Sequence, residues 1–254
     1  MTFYDLHVHT TFCDGHATPE EMVRAALSMG CERIGFSAHA PMPFDTYALP
    51  REREDEYRRE ITRLREEYRG RIDVLCGLEV DLWSYPVEKT YDYIIGSVHA
   101  FSKEQPDGSH AAVDGSREEF EAAIERDFGG DPYAACEDYF SLVAELGKLK
   151  PDIIGHFDLI RKYNRGGCYF DETSPRYLNA ARAAVDALLP LGVPFEVNTG
   201  LVGRGYRETP YPAAPILAYI LKHGGRVILT GDAHRPEGLC FEFEKWAEYV
   251  RMFK

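Results

Sequence analysis

What the sequence lacks narrows its class first. It has no excess of positive charge: 29 Lys and Arg stand against 42 Asp and Glu, a formal net charge of −13. A long polyanion is bound by replacing its counterions with basic groups, so nucleic acid is not expected as a partner. No apolar run approaches the roughly 20 residues that cross a bilayer, so no membrane is expected either. The start, MTFYDLHVHT, has no basic region followed by an apolar stretch, and no signal peptide is expected. The six cysteines, Cys13, Cys31, Cys76, Cys136, Cys168 and Cys240, contain no C-x-x-C pair. Such dispersed spacing suits neither a stapled secreted domain nor a thiolate metal site. A reduced, cytoplasmic protein is the expectation. No internal repeat, low-complexity segment or linker interrupts the 254 residues, 44% of them hydrophobic. That is enough apolar surface for one sizeable core, and one domain over residues 1–254 is expected. The sequence leaves the oligomeric state open.

What is present is an alternation of short apolar runs with amphipathic ones. Strands are predicted at Phe3–His9, Arg33–Ala38, Val74–Asp81, Tyr93–His99, Asp152–His156, Pro194–Asn198 and Arg226–Asp232. Between them lie predicted helices: one capped by Thr18 with Pro19 at its first position, then Arg51–Arg69, Arg117–Asp127, Pro132–Leu149, Pro175–Leu189, Ala213–His223 and Phe241–Met252. Ser/Thr caps, Pro at N1 and closing Gly residues mark helix ends for physical reasons. The charge run in Arg51–Arg69 reads as a solvated helix face. The polar stretch Phe101–Ser116 carries Gly and Pro and reads as a mobile loop, a candidate lid. Roughly seven strand–helix units in this order imply an α/β fold with a parallel sheet. If the sheet closes into a barrel, the active site lies at the C-terminal ends of the strands.

The reactive residues fall there. His7 and His9 end the first strand, and their i, i+2 spacing puts both on one face. His39 ends the second strand, and Glu79 lies near the end of the third. His99, His156 and the pair Asp232/His234 end later strands, while His16 sits in the first loop. Seven of the nine histidines belong to this set, leaving only His110 and His223 outside. One strand-end histidine is ordinarily structural. The same pattern after almost every strand is different, because so many buried ionisable groups without a cation would face one another uncompensated. Imidazole and carboxylate ligands suit Zn²⁺, Mn²⁺ or Fe²⁺, and two or three ions are expected. Cys13 adjoins the set and reads as a structural neighbour. Such a cluster turns bound water into a nucleophile near neutral pH and stabilises charge in phosphoryl transfer. The natural substrate is a small phosphate ester, whose charge the metals can balance in an acidic protein. Amide hydrolysis is the rival chemistry.

In this order, DLHVHT, SAHAPM, GLEVD, YDYIIGSVH, IIGHFDLIRKY, FEVNTG and GDAHRP resemble the polymerase-and-histidinol-phosphatase (PHP) family, and within it the histidinol-phosphate phosphatases. The motifs run from Asp5 to Pro236. The resemblance implies a distorted seven-stranded parallel βα-barrel and a trinuclear site. His7, His9, Glu79 and Asp232 would hold one ion. Glu79, bridging, would hold a second with His99 and His156. His16, His39 and His234 would hold a third, with Asp14 the rival of His16. The family usually has an acid before the second-strand histidine; here Ala38 stands there, so that ligand loses a support. The implied activity is metal-dependent hydrolysis of L-histidinol phosphate to L-histidinol and phosphate. Asp232 and His234 would be supporting groups. Arg161, Asn198, Arg204 and Arg207 are the candidate substrate contacts, because arginine pairs bidentately with phosphate.

Two other readings compete. A protein-tyrosine phosphatase or another phosphoesterase could use the same scaffold, but phosphotyrosine wants an open, shallow site. The proline-rich loop around Pro43 and the Phe101–Ser116 stretch suggest a covered one. A non-catalytic metal-binding module would be expected to have lost ligands, and none of the nine is missing.

Overall fold

The architecture comes from a computed structural model, which describes residues 3–253. The chain runs β1 (Tyr4–Val8), α1 (Pro19–Ser28), β2 (Arg33–His39), α2 (Glu54–Glu67), β3 (Asp73–Asp81), β4 (Tyr93–Ser97), β5 (Ala100–Glu104), β6 (His110–Ala112), α3 (Arg117–Phe128), α4 (Pro132–Ala144), β7 (Ile153–Ile154), α5 (Pro175–Leu188), β8 (Phe195–Asn198), α6 (Gly200–Gly203), α7 (Ala214–Lys222), β9 (Val227–Thr230) and α8 (Phe243–Arg251). Seven strands form one parallel sheet in the order β1-β2-β3-β4-β7-β8-β9. The first helix starts where the sequence marks it, after Thr18, while α2 and α8 begin two or three residues later than expected. Thr18 and Ser116 each close a reciprocal capping box, with Glu21 and Glu119, which satisfies amide donors that a helix leaves open at its start.

The sheet nearly closes on itself. Val8 bridges in parallel to Ala233, through His9 N–H to Ala233 O (2.9 Å) and Ala233 N–H to His7 O (2.9 Å). The closure therefore lies at the strand ends that carry His7, His9, Asp232 and His234. Below it the bore is packed rather than open. Tyr93, Ile95 and Ile153 fill it together with Leu6, Leu75 and Ile228. Tyr93 reaches across to donate to Leu6 O (2.7 Å) and Phe36 O (3.0 Å). It can do so because Gly35 and Gly77 carry no Cβ; one built there would lie 2.5 Å from the Tyr93 ring or hydroxyl. The helices pack outside, where Ile34, Phe36, Val74 and Leu78 meet α1 and α2.

One irregularity positions the site. The β1–β2 register shifts between Asp5 and Val8. Leu6 faces the bore floor, and His7, next in sequence, also faces inward among the acids. A bulge re-aims a side chain in this way. The Phe101–Ser116 stretch differs from the loop the sequence suggested: β5 and β6 pair there as an antiparallel hairpin. Its turn, Asp107-Gly108, uses Gly108 at φ +82°, a conformation that glycine adopts without penalty.

Candidate metal centre

The strand ends deliver a dense, dry set of ligand atoms. The parallel register places His39 beside Glu79. The Glu79 carboxylate is 1% exposed and stands between two groups. Its Oε2 lies 3.1 Å from His7 Nε2 and 3.4 Å from His9 Nε2. Asp232 Oδ1 approaches the same two nitrogens at 3.7 and 3.4 Å. Glu79 Oε1 lies 2.9 Å from His156 Nε2 and 3.4 Å from His99 Nε2, and those two imidazole nitrogens are 3.2 Å apart. His39 Nδ1 also meets Glu79, at 3.1 Å from Oε2.

A third group forms on the open side. Asp14 lies 3.0 Å from His234 Nε2 and 3.6 Å from both His9 Nδ1 and His39 Nε2. The structure thus brings Asp14, not His16, to His39 and His234. The turn decides this. Cys13 and Gly15 both donate to Thr10 O, and a Cβ on Gly15 would sit 2.3 Å from Thr10 N. That tight turn aims Asp14 inward. His16 is exposed and ties back only through its backbone N–H, which donates to His234 O (2.8 Å).

The donor set fits divalent ions. His7 Nε2, His9 Nε2, both Glu79 oxygens and Asp14 Oδ1 are buried without a hydrogen-bond partner. Leaving so many such atoms unpaired is costly, whereas one cation satisfies several at once. The electrostatics agree. Burial opposes ionisation of Glu79, but His7, His99 and His39 outweigh it and hold the carboxyl well below its ordinary range. Burial likewise opposes the charged form of Asp232, and Arg204 and His7 overcome it. His9 is pushed down to about 3 by burial and by neighbouring His234 and His39, so it is a neutral imidazole ready to donate a lone pair.

A second ring of side chains supports these atoms, and sequence reasoning missed its main members. Glu196, on β8, is fully buried. Its Oε1 meets His7 Nδ1 at 2.6 Å, and its Oε2 accepts from His156 N–H (2.9 Å) and Asn198 Nδ2 (3.0 Å). A carboxylate behind a histidine fixes which nitrogen is free to ligate. Asp81 serves His99 similarly, accepting its backbone N–H at 2.7 Å and lying 3.4 Å from Nδ1. The available signal was an acid inside an otherwise apolar strand, in FEVN and GLEVD, where burial needs a partner.

The candidate substrate contacts separate. Arg204 donates to Asp232 Oδ2 (2.9 Å) and lines a cavity of about 430 Å³ above the ligands. Asn198 is buried and holds Glu196 rather than facing that cavity. Arg161 is not placed to meet a substrate. It is 1% exposed and donates to Glu172 (3.3 Å), Pro210 O (2.9 Å) and Thr209 Oγ1 (2.9 Å). Arg207 is likewise spent on Arg161 O (2.9 Å) and Glu172 (2.7 Å). The turn Leu159–Arg161 after β7 points Arg161 into the wall, and it is Lys162 that lines the cavity, beside Asp114, Asp45, Tyr47 and Tyr206.

Comparison with known proteins agrees with this geometry. The PHP domain model matches residues 5–200. The chain belongs to the PHP family. A Deinococcus radiodurans protein named "Probable histidinol-phosphatase" is 34% identical over 272 residues, spanning 97% of this chain and 92% of its own length. A candidate histidinol phosphatase from Listeria monocytogenes has the same fold, with a TM-score of 0.81 at 20% identity over 96% of this chain and all of the other. The histidinol phosphate phosphatase of Lactococcus lactis, crystallised with zinc, L-histidinol and phosphate, superposes with a TM-score of 0.66 at 23% identity, covering 98% and 93% of the two chains.

Proposed function

We propose that this chain hydrolyses L-histidinol phosphate to L-histidinol and inorganic phosphate with two or three divalent ions, of which zinc, manganese and iron all suit the donor set. One observation carries the reading: a single cavity joins the ligand residues Asp14, His39, His99, His156, Asp232 and His234 to two cations, Lys162 and Arg204, and to the acids Asp45 and Asp114. Likeness to the 34% identical relative supports the same reaction.

His7, His9, Glu79 and Asp232 would hold one ion, Glu79, His99 and His156 a second, and Asp14, His39 and His234 a third. Bound there, the ions supply positive charge that activates a water and neutralises phosphoryl oxygens. The chain's own residues do the rest. Arg204 and Lys162 face the same space and offer fixed donors to the ester's phosphoryl oxygens. Lys162 is steadied by Asp114, whose backbone oxygen lies 2.6 Å and carboxylate 3.2 Å from its Nζ. Asp45 and Asp114 give the wall an acidic character that suits the substrate's ammonium group. The β5–β6 hairpin follows His99 directly and is fastened by Val113 N–H to His99 O (2.7 Å), so it walls the site on one side.

A small zwitterionic phosphate ester fits such a walled, mixed-charge cavity better than a phosphotyrosine on a protein surface. Acids standing beside the cavity's two cations suit a long polyanion poorly. Among the described residues no helix is long and apolar enough to cross a membrane, and six unpaired cysteines fit a reducing, cytoplasmic setting. The test is phosphate release by the metal-loaded chain from L-histidinol phosphate, p-nitrophenyl phosphate and a phosphotyrosine peptide. Histidinol phosphate is expected to lead in kcat/KM by about 100-fold or more, the scale set by buried polar recognition. Equal rates on all three esters would sink the assignment.

A further inference from the structure

Outside the metal centre, two thiols meet that nothing in the reaction uses. Cys31 Sγ and Cys240 Sγ lie 3.6 Å apart, although 209 positions separate them in sequence. Both are buried, at 5% and 8% exposure, and both are free thiols. Cys31 lies in the connection from α1 to β2, immediately after Gly30 in the left-handed region (φ +76°). Cys240 lies in the connection from β9 to α8, itself at φ +50°. Sulfurs in van der Waals contact need only small side-chain rotations to reach bonding distance.

The place matters as much as the distance. Cys240 N–H donates to Asp5 Oδ2 (3.0 Å), and Asp5 Oδ1 accepts from Gly231 N–H (2.9 Å) and His7 N–H (3.2 Å). One carboxylate therefore ties the Cys240 connection to the two segments that close the barrel and carry His7 and Asp232. The packing there is tight: a Cβ on Gly231 would lie 2.3 Å from Asp5 Oδ2 and 2.7 Å from Gly238 O.

We propose that Cys31 and Cys240 are a reversible oxidation site, closing to a disulfide that staples the last helical segment to the first strand–helix layer. The reaction is thiol–disulfide exchange with a low-molecular-weight disulfide, RSSR. The Cys31 thiolate attacks one sulfur of RSSR and expels RS⁻, giving a mixed disulfide. The Cys240 thiolate then attacks Cys31 Sγ, the Cys31–SR bond breaks, and a second RS⁻ leaves. The two thiol protons end on the two released thiolates, so RSSR is reduced to two RSH as the protein dithiol is oxidised. The Cys240 thiol hydrogen-bonds to the Cys31 sulfur and favours the thiolate there, which makes Cys31 the attacking partner. The inference is independent of the reaction assigned to the metal centre.

The metal-loaded protein is incubated with oxidised glutathione, alkylated with iodoacetamide, digested and mapped by mass spectrometry. The expected product is a peptide linking Cys31 to Cys240, with neither thiol alkylated and the link reversed by dithiothreitol. Exposed Cys168 reports that the oxidant was competent. Glutathionylated Cys168 with Cys31 and Cys240 still fully alkylated would overturn the proposal, as would a persistent glutathione adduct on Cys31. A staple closing so long a loop should raise the melting temperature by at least about 5 °C. That rise should be absent in both C31A and C240A. A linked wild type that melts no higher than the reduced form would refute the stapling role.

Discussion

Replacing Glu196 with Gln changes one atom type and tests how the ligands are held. In the wild type one oxygen meets His7 Nδ1 at 2.6 Å while the other accepts two N–H groups, from His156 and Asn198. Glutamine has one acceptor oxygen and one NH₂ donor. If its oxygen faces His7, its NH₂ confronts two donors. If its NH₂ faces His7, the His7 proton must sit on Nε2, the nitrogen that faces Glu79 and Asp232. Either way a fully buried polar contact is lost, at about 1–3 kcal/mol. Loss of a carboxylate behind a ligating histidine weakens metal binding by about 10–100-fold. Competition titration against a chelator, with thermal melting of the metal-free protein, measures both effects. The expected result is one weakened ion per chain, with affinity down at least about 10-fold, and a lower melting point. Unchanged metal affinity and unchanged melting would show that Glu196 does not hold the ligands in place.

Metal loading should also depend on pH. Burial disfavours the charged form of His7, but Glu196, Glu79 and Asp232 outweigh it and hold its pKa well above the ordinary value in the metal-free protein. Below that raised pKa the imidazole carries a proton that an incoming ion must displace. Apparent affinity therefore falls as pH falls, by about tenfold per pH unit for each proton released, and titrations at pH 6.5 and 7.5 should differ in that sense; equal affinities would contradict it. Arg161→Ala and Lys162→Ala should separate structure from binding. The first removes a buried guanidinium from beside fully buried Asp158 (3.8 Å) and from Thr209 and Pro210 O, and should cost about 3–5 kcal/mol in denaturant unfolding, with KM little moved. The second should raise KM for the phosphate ester several-fold and leave stability within about 1 kcal/mol. A reversal of the two phenotypes would show that Arg161 faces the substrate after all.

Much of this was legible in the sequence because strand ends and ligands are coupled. A parallel βα array sends every strand's C-terminal end to one face, so the sequence alone groups residues as distant as His7 and Asp232. The failures lie where a local turn sets direction. Asp14 and His16 are two residues apart, and only the close backbone approach at Gly15 decides which one faces His39. Arg161 and Lys162 are adjacent, and a single helical turn sends one into the wall and the other into the cavity. The β5–β6 hairpin resembles a loop in sequence because its strands are short and its polar residues mask the alternation. Glu196 is silent in the sequence because a carboxylate on a buried strand acquires meaning only from what lies across the bore, and β8 and β1 are not neighbours in the sheet.

A three-ion cluster held by nine side chains, Asp14 among them, can be counted. Elemental analysis after reconstitution and desalting gives the metal-to-protein ratio for the wild type, Asp14→Asn and His16→Asn. Three ions are expected for the wild type and for His16→Asn, and two for Asp14→Asn. A wild type holding two ions or fewer, or loss of an ion from His16→Asn with Asp14→Asn unaffected, would overturn the three-ion assignment.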